Sequence, residues 1–380
     1  MSAYDVAVIG GGMAGASAAF ELAAMRRVVV LERESACGYH STGRSAASFT
    51  ENYGTSVIRR LAAASRAFFE APPGDSPPLA TPRGMVTIGN AGQLDLLADE
   101  LRRGRETAPD MAEIAPEEVL HRVPILRPEA VAGAVFEPRS RDIDVNAAHQ
   151  VFLKGLRARG GAVVTDAEVT ALVRRHDTWQ IETRAGQFSA PIVVDAAGAW
   201  AEMIAALAGA RPIGLVPKRR TAFTIDLPPG MAVADWPLIN DVGGEFYFKP
   251  DAGRLLVSPA DATPSPPVDA RPEEEDLAIG VARLEAVTTL EVRRLTHKWA
   301  GLRSFVADGS PVAGFDEGIP GFFWLAGQGG YGIKTAPALA RATASLIEGK
   351  GLPADLAERG LREQDLAPAR CRSATPISVT

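Results

Sequence analysis

Val6-Ala7-Val8-Ile9-Gly10-Gly11-Gly12-Met13-Ala14-Gly15-Ala16-Ser17-Ala18-Ala19-Phe20 runs from four apolar residues through a glycine cluster into a stretch of small and apolar residues. That order reads as strand, turn, helix. Gly10, Gly12 and Gly15 fit G-x-G-x-x-G: Gly10 permits the tight turn, Gly12 lets backbone approach a pyrophosphate, and Gly15 lets the helix pack near the strand. Met13 and Ala14 open the helix, whose amino end favours phosphate oxygens. Val28 to Leu31 is a second apolar strand closed by Glu32 and Arg33, so the chain begins with a β-α-β unit on a parallel sheet. A carboxylate at Glu32 can accept hydrogen bonds from both hydroxyls of an adenosine ribose and disfavours a 2′-phosphate.

Farther along, Asn146 to Arg159 has helical spacing, Gly160-Gly161 stops it, and Ala162 to Thr165 resumes as strand. Trp179 to Thr183 and Phe188 to Val194 read as strands. The second leads into Asp195-Ala196-Ala197-Gly198-Ala199-Trp200, another strand, small-residue turn and helix. Ala197, Gly198 and Trp200, with Val169, are expected cofactor contacts. Phe322 to Ala326, a glycine-rich turn and a helix from Lys334 to Glu348 return to the same texture near the end. Between these pieces, Arg219 to Ile225, Phe246 to Lys249 and Arg254 to Ser258 are strand-like and separated by turn residues, as in an antiparallel sheet. Ala71 to Pro78 and the Pro/Ser stretch Thr263 to Pro267, followed by Glu273-Glu274-Glu275, read as surface loops.

The 380 residues are 46% hydrophobic, enough for a sizeable core and two domains. Forty Lys and Arg against 46 Asp and Glu give a net charge of −6, which offers no basic excess to a nucleic acid. Cys37 and Cys371 are too few for a disulfide framework or a metal knuckle, and a reducing, cytoplasmic setting is expected. No apolar run reaches the roughly 20 residues that span a bilayer.

The fingerprint serves FAD and NAD alike, and other segments separate them. Gly38-Tyr39-His40-Ser41-Thr42-Gly43-Arg44-Ser45-Ala46-Ala47 is a long Gly/Ser/Thr run with one arginine, suited to wrapping phosphate and an isoalloxazine ring with backbone and hydroxyl donors. An NAD enzyme has no need of it there. Gly327-Gln328-Gly329-Gly330-Tyr331-Gly332-Ile333 precedes the last helix, so its amides and the helix amino end could face flavin N1 and O2, where reduced flavin carries negative charge. FAD is the expected cofactor, contacted by Ser41 to Ala47 and by Gly329 to Ile333.

These residues, with Pro217-Lys218-Arg219-Arg220, Phe246-Tyr247, the run Trp299-Ala300-Gly301-Leu302-Arg303-Ser304-Phe305-Val306-Ala307-Asp308-Gly309 and Gln328 to Ile333, resemble the D-amino-acid oxidase superfamily, and most closely bacterial D-arginine dehydrogenase-like flavoproteins. The resemblance covers nearly the whole chain. It implies an α/β, α+β overall fold: a Rossmann-like FAD-binding domain from residues 1–80, 145–215 and 300–367, and a substrate domain on a mixed, largely antiparallel sheet from 81–144 and 216–299. Residues 368–380 read as a frayed tail. The resemblance also implies Arg220 and Arg303 as carboxylate ligands, Arg303 also reaching the cofactor, with Tyr53 and Tyr247 as active-site tyrosines and Gly330 as a backbone contact to the substrate amine. Guanidinium forks match a carboxylate and would hold the α-carbon against flavin N5, to which hydride passes, leaving an imine that hydrolyses to an oxo acid. A quinone-like carrier or oxygen would take the electrons. Without the resemblance, Arg219 and Arg220 read as surface charges on an edge strand, Tyr53 and Tyr247 as core aromatics, and His40 and His149 as structural.

Departures from that pattern bear on the substrate. Ser48 stands where the arginine-using members carry histidine, Gly84 where they carry the glutamate that pairs with a cationic side chain, Asn240 where they are apolar, and Lys334 where they have glutamine. A buried guanidinium without a partner is costly, so D-arginine is not expected. A neutral polar or acidic D-amino acid is, with an oxidase or dehydrogenase of N-substituted amino acids, including glycine, sarcosine or opine-like secondary amines, as the alternative enzyme reading. Lys334 is expected near the substrate side chain or reaching solvent from a helix start. A 2-hydroxy-acid dehydrogenase and a flavin subunit that only relays electrons also remain open. The segment Trp299 to Ser304 has no cysteine like the one that attaches FAD in some sarcosine-type relatives, which implies noncovalent FAD.

Overall fold

The strands Val6–Ile9 and Val28–Leu31 are buried on both faces, no residue of either above 4% exposure, as expected for apolar runs in the middle of a parallel sheet. In the computed structural model, which describes residues 2–373, they lie at the centre of a six-stranded sheet ordered Ala162–Val164, Val28–Leu31, Val6–Ile9, Ile192–Asp195, Phe322–Ala326 and Val312–Phe315. Only the last strand is antiparallel to its neighbour. On one face, the helix Met13–Leu22 packs against the C-terminal helix Gly332–Ile347 through small residues such as Ala18, Ala19, Ala338 and Ala342, which let the two backbones approach. Trp179, Ile181 and Phe188 cover the other face from a four-stranded sheet ordered Ser2–Ala3, Gly186–Ala190, Thr178–Thr183 and Val169–Arg175.

Phe188 to Val194, expected as one strand, is two strands in different sheets, Gly186–Ala190 and Ile192–Asp195. Pro191 separates them, because it has no N–H to give to a ladder. The acidic triplet is not all loop either: the helix Glu274–Val287 starts in it, with carboxylates at its positive end.

The larger sheet has eight strands, ordered His297–Phe305, Val216–Ile225, Arg254–Ser258, Tyr247–Asp251, Leu238–Asp241, Met85–Gly89, Gly133–Glu137 and Ala112–Ile114. Every neighbouring pair is antiparallel except Leu238–Asp241 with Met85–Gly89. The boundary expected at residue 300 falls inside His297–Phe305, which pairs along its length with Val216–Ile225 and so belongs wholly to this sheet. At the other end of the chain, the expected fraying after residue 368 does not hold for Ala369–Ser373, which form a helical turn. Arg370 Nε lies 2.8 Å from Asp308 there, and Arg372 pairs with the buried Asp316. Residues 374–380 lie outside the described residues.

Candidate active site

A cavity of about 520 Å³ is lined from both large sheets, by Gly10, Gly12, Met13, Ala14 and Glu32 from the first unit and by Arg220, Tyr247 and Arg303 from the eight-stranded sheet. Gly10 has φ +104°, and a Cβ there would meet the Ala196 carbonyl oxygen at 2.5 Å, so the first turn closes directly on the second strand–turn–helix. Glu32 is held in the wall: its Oε2 accepts the Gly11 N–H at 2.8 Å and its Oε1 the Glu34 N–H at 2.9 Å. The helix Met13–Leu22 has no side-chain cap from its own start, and the Met13 N–H donates instead to Thr42 Oγ1 at 3.0 Å. Hydroxyl and amide thus meet where an anion is favoured. His149 supports the turn from behind, its Nε2 2.9 Å from the Gly11 carbonyl oxygen, and burial pushes its imidazole below the ordinary value, so the neutral ring donates.

The segment that follows is tied to the eight-stranded sheet. Ser41 Oγ donates to the Leu302 carbonyl at 2.6 Å, and Trp299 Nε1–H donates to the Arg44 carbonyl at 3.1 Å. Arg44 donates to the Ala270 and Ala300 carbonyls at 2.8 and 3.1 Å and pairs with Asp269, so its charge is already neutralised. Nearby, Arg33 lies 4.9 Å over the Trp200 ring, and His40 Nε2 lies 2.9 Å from Glu34 Oε1.

Strand alternation decides the arginines. In the ladder of Val216–Ile225 with His297–Phe305, Arg220 stands opposite Gly301 and Lys218 opposite Arg303, which puts Arg220 and Arg303 on one face. Arg219 is on the other face, in ion pairs with Glu273 at 2.9 Å and Asp276 at 3.1 Å. Arg220 Nε donates to the Asp261 carbonyl at 2.6 Å, while the Asp261 carboxylate is turned to Thr221, accepting from its N–H at 2.6 Å and its hydroxyl at 3.1 Å. Among the described residues no carboxylate neutralises Arg303, and the Asp261 carboxylate is no nearer to Arg220 than 4.0 Å. Burial and the charge of Arg303 push the Arg220 guanidinium below its ordinary value. Tyr247 lies beside both: burial raises its phenol, but the Arg303 and Arg220 charges and hydrogen bonds from Ser258 and Arg220 outweigh it and leave the pKa lowered. Two cations facing a cavity with a lowered phenol on the same wall describe a site for an anionic group.

The family model for DAO, FAD dependent oxidoreductase, matches residues 5–346. The chain belongs to this family. It is 27% identical to the glycine oxidase of Geobacillus kaustophilus (strain HTA426), across 93% of this chain and 95% of that protein. It is 24% identical to the mitochondrial dimethylglycine dehydrogenase of Rattus norvegicus across 93% of this chain, which spans 44% of the length of that relative. Among solved structures, the L-proline dehydrogenase from P. horikoshii superposes with a TM-score of 0.83 at 23% identity, covering 98% of each chain.

The cavity fits the family's FAD. Gln328 Nε2 is buried without a partner and its residue lines the cavity, and at Gly198, with φ +58°, an added Cβ would meet nothing within 4 Å. The helix Gly332–Ile347 begins without a side-chain cap, which leaves its first amides for the ring. Of the residues expected at the cofactor, Arg33, Ser41, Thr42, Arg44, Ser45, Ala46, Val169, Ala197, Gly198, Trp200, Gly329, Gly330, Gly332 and Ile333 line the cavity with those named above. Four do not. Gly15 is a packing residue, a Cβ there lying 1.9 Å from the Gly10 carbonyl oxygen. Gly43 closes a turn through its N–H to the Gly38 carbonyl at 2.8 Å, and Ala47, at φ 60°, hands the chain on to the strand Ser48–Phe49. Tyr331 packs among aromatic rings instead, its own ring 5.3 Å from Tyr53 and 6.3 Å from Phe305.

Of the substrate residues, Arg220, Arg303, Tyr247 and Gly330 line the cavity, and a Cβ at Gly330 would lie 2.8 Å from Arg303 Nη1. Tyr53, 48% exposed, stacks edge-on over Tyr331 beside the arginines. Asn240 stands opposite Tyr247 in the ladder, its Nδ2 donating to the Asp241 carbonyl at 3.1 Å. Ser48 is displaced from the cavity lining, in a strand facing Asp142 with its hydroxyl buried and unpaired. Lys334 reaches neither substrate cavity nor solvent; it is 3% exposed. Gly84, with φ +74° and a Cβ position 2.8 Å from the Phe136 ring, has no room for a carboxylate side chain, and Arg83 beside it is paired with Asp142 at 2.7 Å. Sequence reasoning missed Glu168, Arg184 and the trio Met203, Ile204 and Leu207 in the cavity wall. The signal for the trio was an apolar face on the short helix after the Trp200 turn.

Proposed function

We propose that this chain oxidises the carbon–nitrogen bond of a small α-amino acid, glycine or an N-substituted glycine, held by its carboxylate. The observation that carries this is the pair Arg220 and Arg303 on one face of one sheet, both lining the cavity with Tyr247, and no carboxylate neutralising Arg303 among the described residues. The same pair repels a cationic side chain, and Gly84 offers no counter-charge, so the narrower resemblance to D-arginine dehydrogenases does not extend to the substrate. The names of the relatives, glycine oxidase and dimethylglycine dehydrogenase, support the N-substituted class over D-amino acids.

The residues bind and orient. Arg303 and Arg220 present planar forks to the carboxylate, and Tyr247 donates to the same end. Held at that end, the α-carbon would face the part of the cavity lined by Gly329 and Gly330, where the flavin would be held, and binding there would replace a random encounter with one geometry. When bound, FAD supplies the two-electron acceptor. Noncovalent retention agrees with Cys37, whose thiol is pushed up to about 11 by burial and by Glu32 and is therefore a poor nucleophile. Acid precipitation should release the yellow cofactor into the supernatant.

A second reading is a neutral D-amino acid; Asn240 stands opposite the cavity residue Tyr247 in the ladder, but it does not itself line the cavity and its Nδ2 is given to the Asp241 carbonyl. Anaerobic mixing of the holoprotein with glycine, sarcosine, N,N-dimethylglycine, proline, D-serine, D-aspartate and D-arginine distinguishes them. Fastest bleaching of the flavin by an N-alkyl glycine is expected. Fastest bleaching by D-arginine, or bleaching by 2-hydroxy acids alone, overturns the proposal, and readmission of air reports whether oxygen takes the electrons.

A further inference from the structure

Lys334 is the third residue of the helix Gly332–Ile347, where a cation faces the positive end of the helix dipole and is ordinarily expelled toward water. It is buried instead, and its ammonium has three protons and three acceptors: the Thr50 carbonyl at 2.9 Å, Thr50 Oγ1 at 3.2 Å and the Tyr53 carbonyl at 2.8 Å. The rings of Tyr53 and Tyr331 roof it, their centroids 5.5 and 5.3 Å from Nζ. Residues 50–53 lie between the strand Ser48–Phe49 and the helix Ser56–Glu70 and belong to neither, so no ladder or helix fixes them. The ammonium bridges two carbonyls of that stretch and ties both to the C-terminal helix.

The charge balance is built from other elements. Glu137, 1% exposed, accepts the Glu51 N–H at 2.8 Å through Oε1, while its Oε2 is buried without a hydrogen-bond partner. Glu51 is matched by Arg66 at 2.8 Å and Arg59 by Glu106 at 2.9 Å; Glu100 accepts from Thr87 at 2.8 Å and Asn52 at 3.3 Å. Burial pushes the Lys334 ammonium down and the Glu137 carboxyl up, while the attraction between them opposes both shifts. No direct ion pair joins the two among the described residues, so Glu137 acts on Lys334 as a longer-range counter-charge, with Glu51 beside it.

We propose that Lys334 is a positioning residue which, with Glu137 as its counter-charge, staples the 50–53 stretch to the C-terminal helix and so holds Tyr53 over Tyr331 beside Arg220 and Arg303. The role rests on the carboxylate-binding reading of those arginines. It explains why an apolar helix start carries a lysine that touches neither cavity nor solvent.

The test uses holoprotein and benzoate as a carboxylate probe, read by the perturbation of the flavin absorbance. Lys334→Met removes the three donors; Lys334→Met with Glu137→Gln removes them without leaving a lone buried carboxylate, which separates positioning from misfolding. The double variant should keep its FAD and thermal midpoint while benzoate affinity falls about tenfold and KM rises more than kcat falls. Added to Tyr53→Ala, it should cause little further loss, because both changes remove the same placement. Wild-type benzoate affinity in the double variant, or a loss fully additive with Tyr53→Ala, overturns the staple. If the wild-type holoprotein binds no carboxylate at all, the reading of Arg220 and Arg303 fails first and the staple falls with it.

Discussion

Replacing Gly330 by alanine isolates the carboxylate grip from the fold. The added methyl would lie 2.8 Å from Arg303 Nη1, 3.0 Å from Cζ and 3.1 Å from Cδ. Ordinary contact for such atoms begins at about 3.5 Å, so the guanidinium must recede by roughly 0.5 to 0.7 Å. A charge-assisted N–H···O bond near 2.8 Å stretched that far passes the ~3.2 Å limit for at least one arm of the fork. Losing a hydrogen bond to a charged group costs about 1.5–3 kcal/mol, and 1.4 kcal/mol is a factor of ten, so KM and the benzoate dissociation constant should rise roughly 10- to 150-fold. The obstructing atoms belong to the far end of a flexible side chain, so FAD content and thermal midpoint should stay at wild-type values. Steady-state kinetics on the fastest amine and a benzoate titration of the flavin spectrum make the measurement. Unchanged KM and benzoate affinity in a variant that retains FAD would refute the placement of Arg303 against the substrate carboxylate.

Arg220→Met should weaken benzoate binding while leaving FAD bound, and Arg303→Met should do so at least as strongly, because Arg220 also has the Asp261 carbonyl to hold it; a titration of each variant decides. Gly10→Ala combines a left-handed backbone with a Cβ 2.5 Å from a main-chain oxygen, so it should purify without yellow colour or not at all, which the ratio of absorbance at 450 to 280 nm, both set by the assay on the order of flavin and aromatic maxima, reports. Asp195 is fully buried with Oδ2 unpaired, and burial raises its carboxyl well above the ordinary value. A raised folded-state value means that the folded form binds the proton more tightly. The resulting stabilisation is full below the unfolded value and is lost as pH rises through the folded one. Asp195→Asn lacks that titration, so the melting temperature of the variant should gain on wild type as pH rises above the ordinary carboxylate range in paired thermal scans. Cys37, with its thiol pushed up to about 11, should stay unlabelled by iodoacetamide at neutral pH in the native holoprotein, as mass spectrometry would show.

The glycine turn was legible because its constraints are local: Gly10, Gly12, Met13 and Glu32 are placed by the order strand, turn, helix, strand, and all line the cavity. Arg219 and Arg220 show where that ends. They are neighbours in sequence, and only the register with His297–Phe305 sends one to Glu273 and Asp276 and the other to the cavity. Pro191 stands in plain view, but the run of strand formers on both sides of it masks the change of sheet that it marks. Lys334 was placed at a helix start by its spacing, but its burial depends on the Thr50 and Tyr53 carbonyls and on Glu137, partners distant in sequence and not announced by any pattern. Tyr331 was drawn toward the cofactor by its glycine neighbours, whereas its ring follows the aromatic pair Tyr53 and Phe305.

The bonds from Ser41 to Leu302, from Trp299 to Arg44 and from Arg44 to Ala300 join the segment expected to embrace the flavin to the strand that carries Arg303, and the bond from Arg44 to Ala270 joins it to a neighbouring loop. Neither can loosen without disturbing the other. Any ligand that stiffens Arg303 should therefore raise the affinity for the cofactor, and the cofactor should raise the affinity for that ligand by the same factor, because a coupling free energy is reciprocal. The two halves of the reaction chamber act as one thermodynamic unit, in which a simple carboxylate should serve as a lock on the flavin.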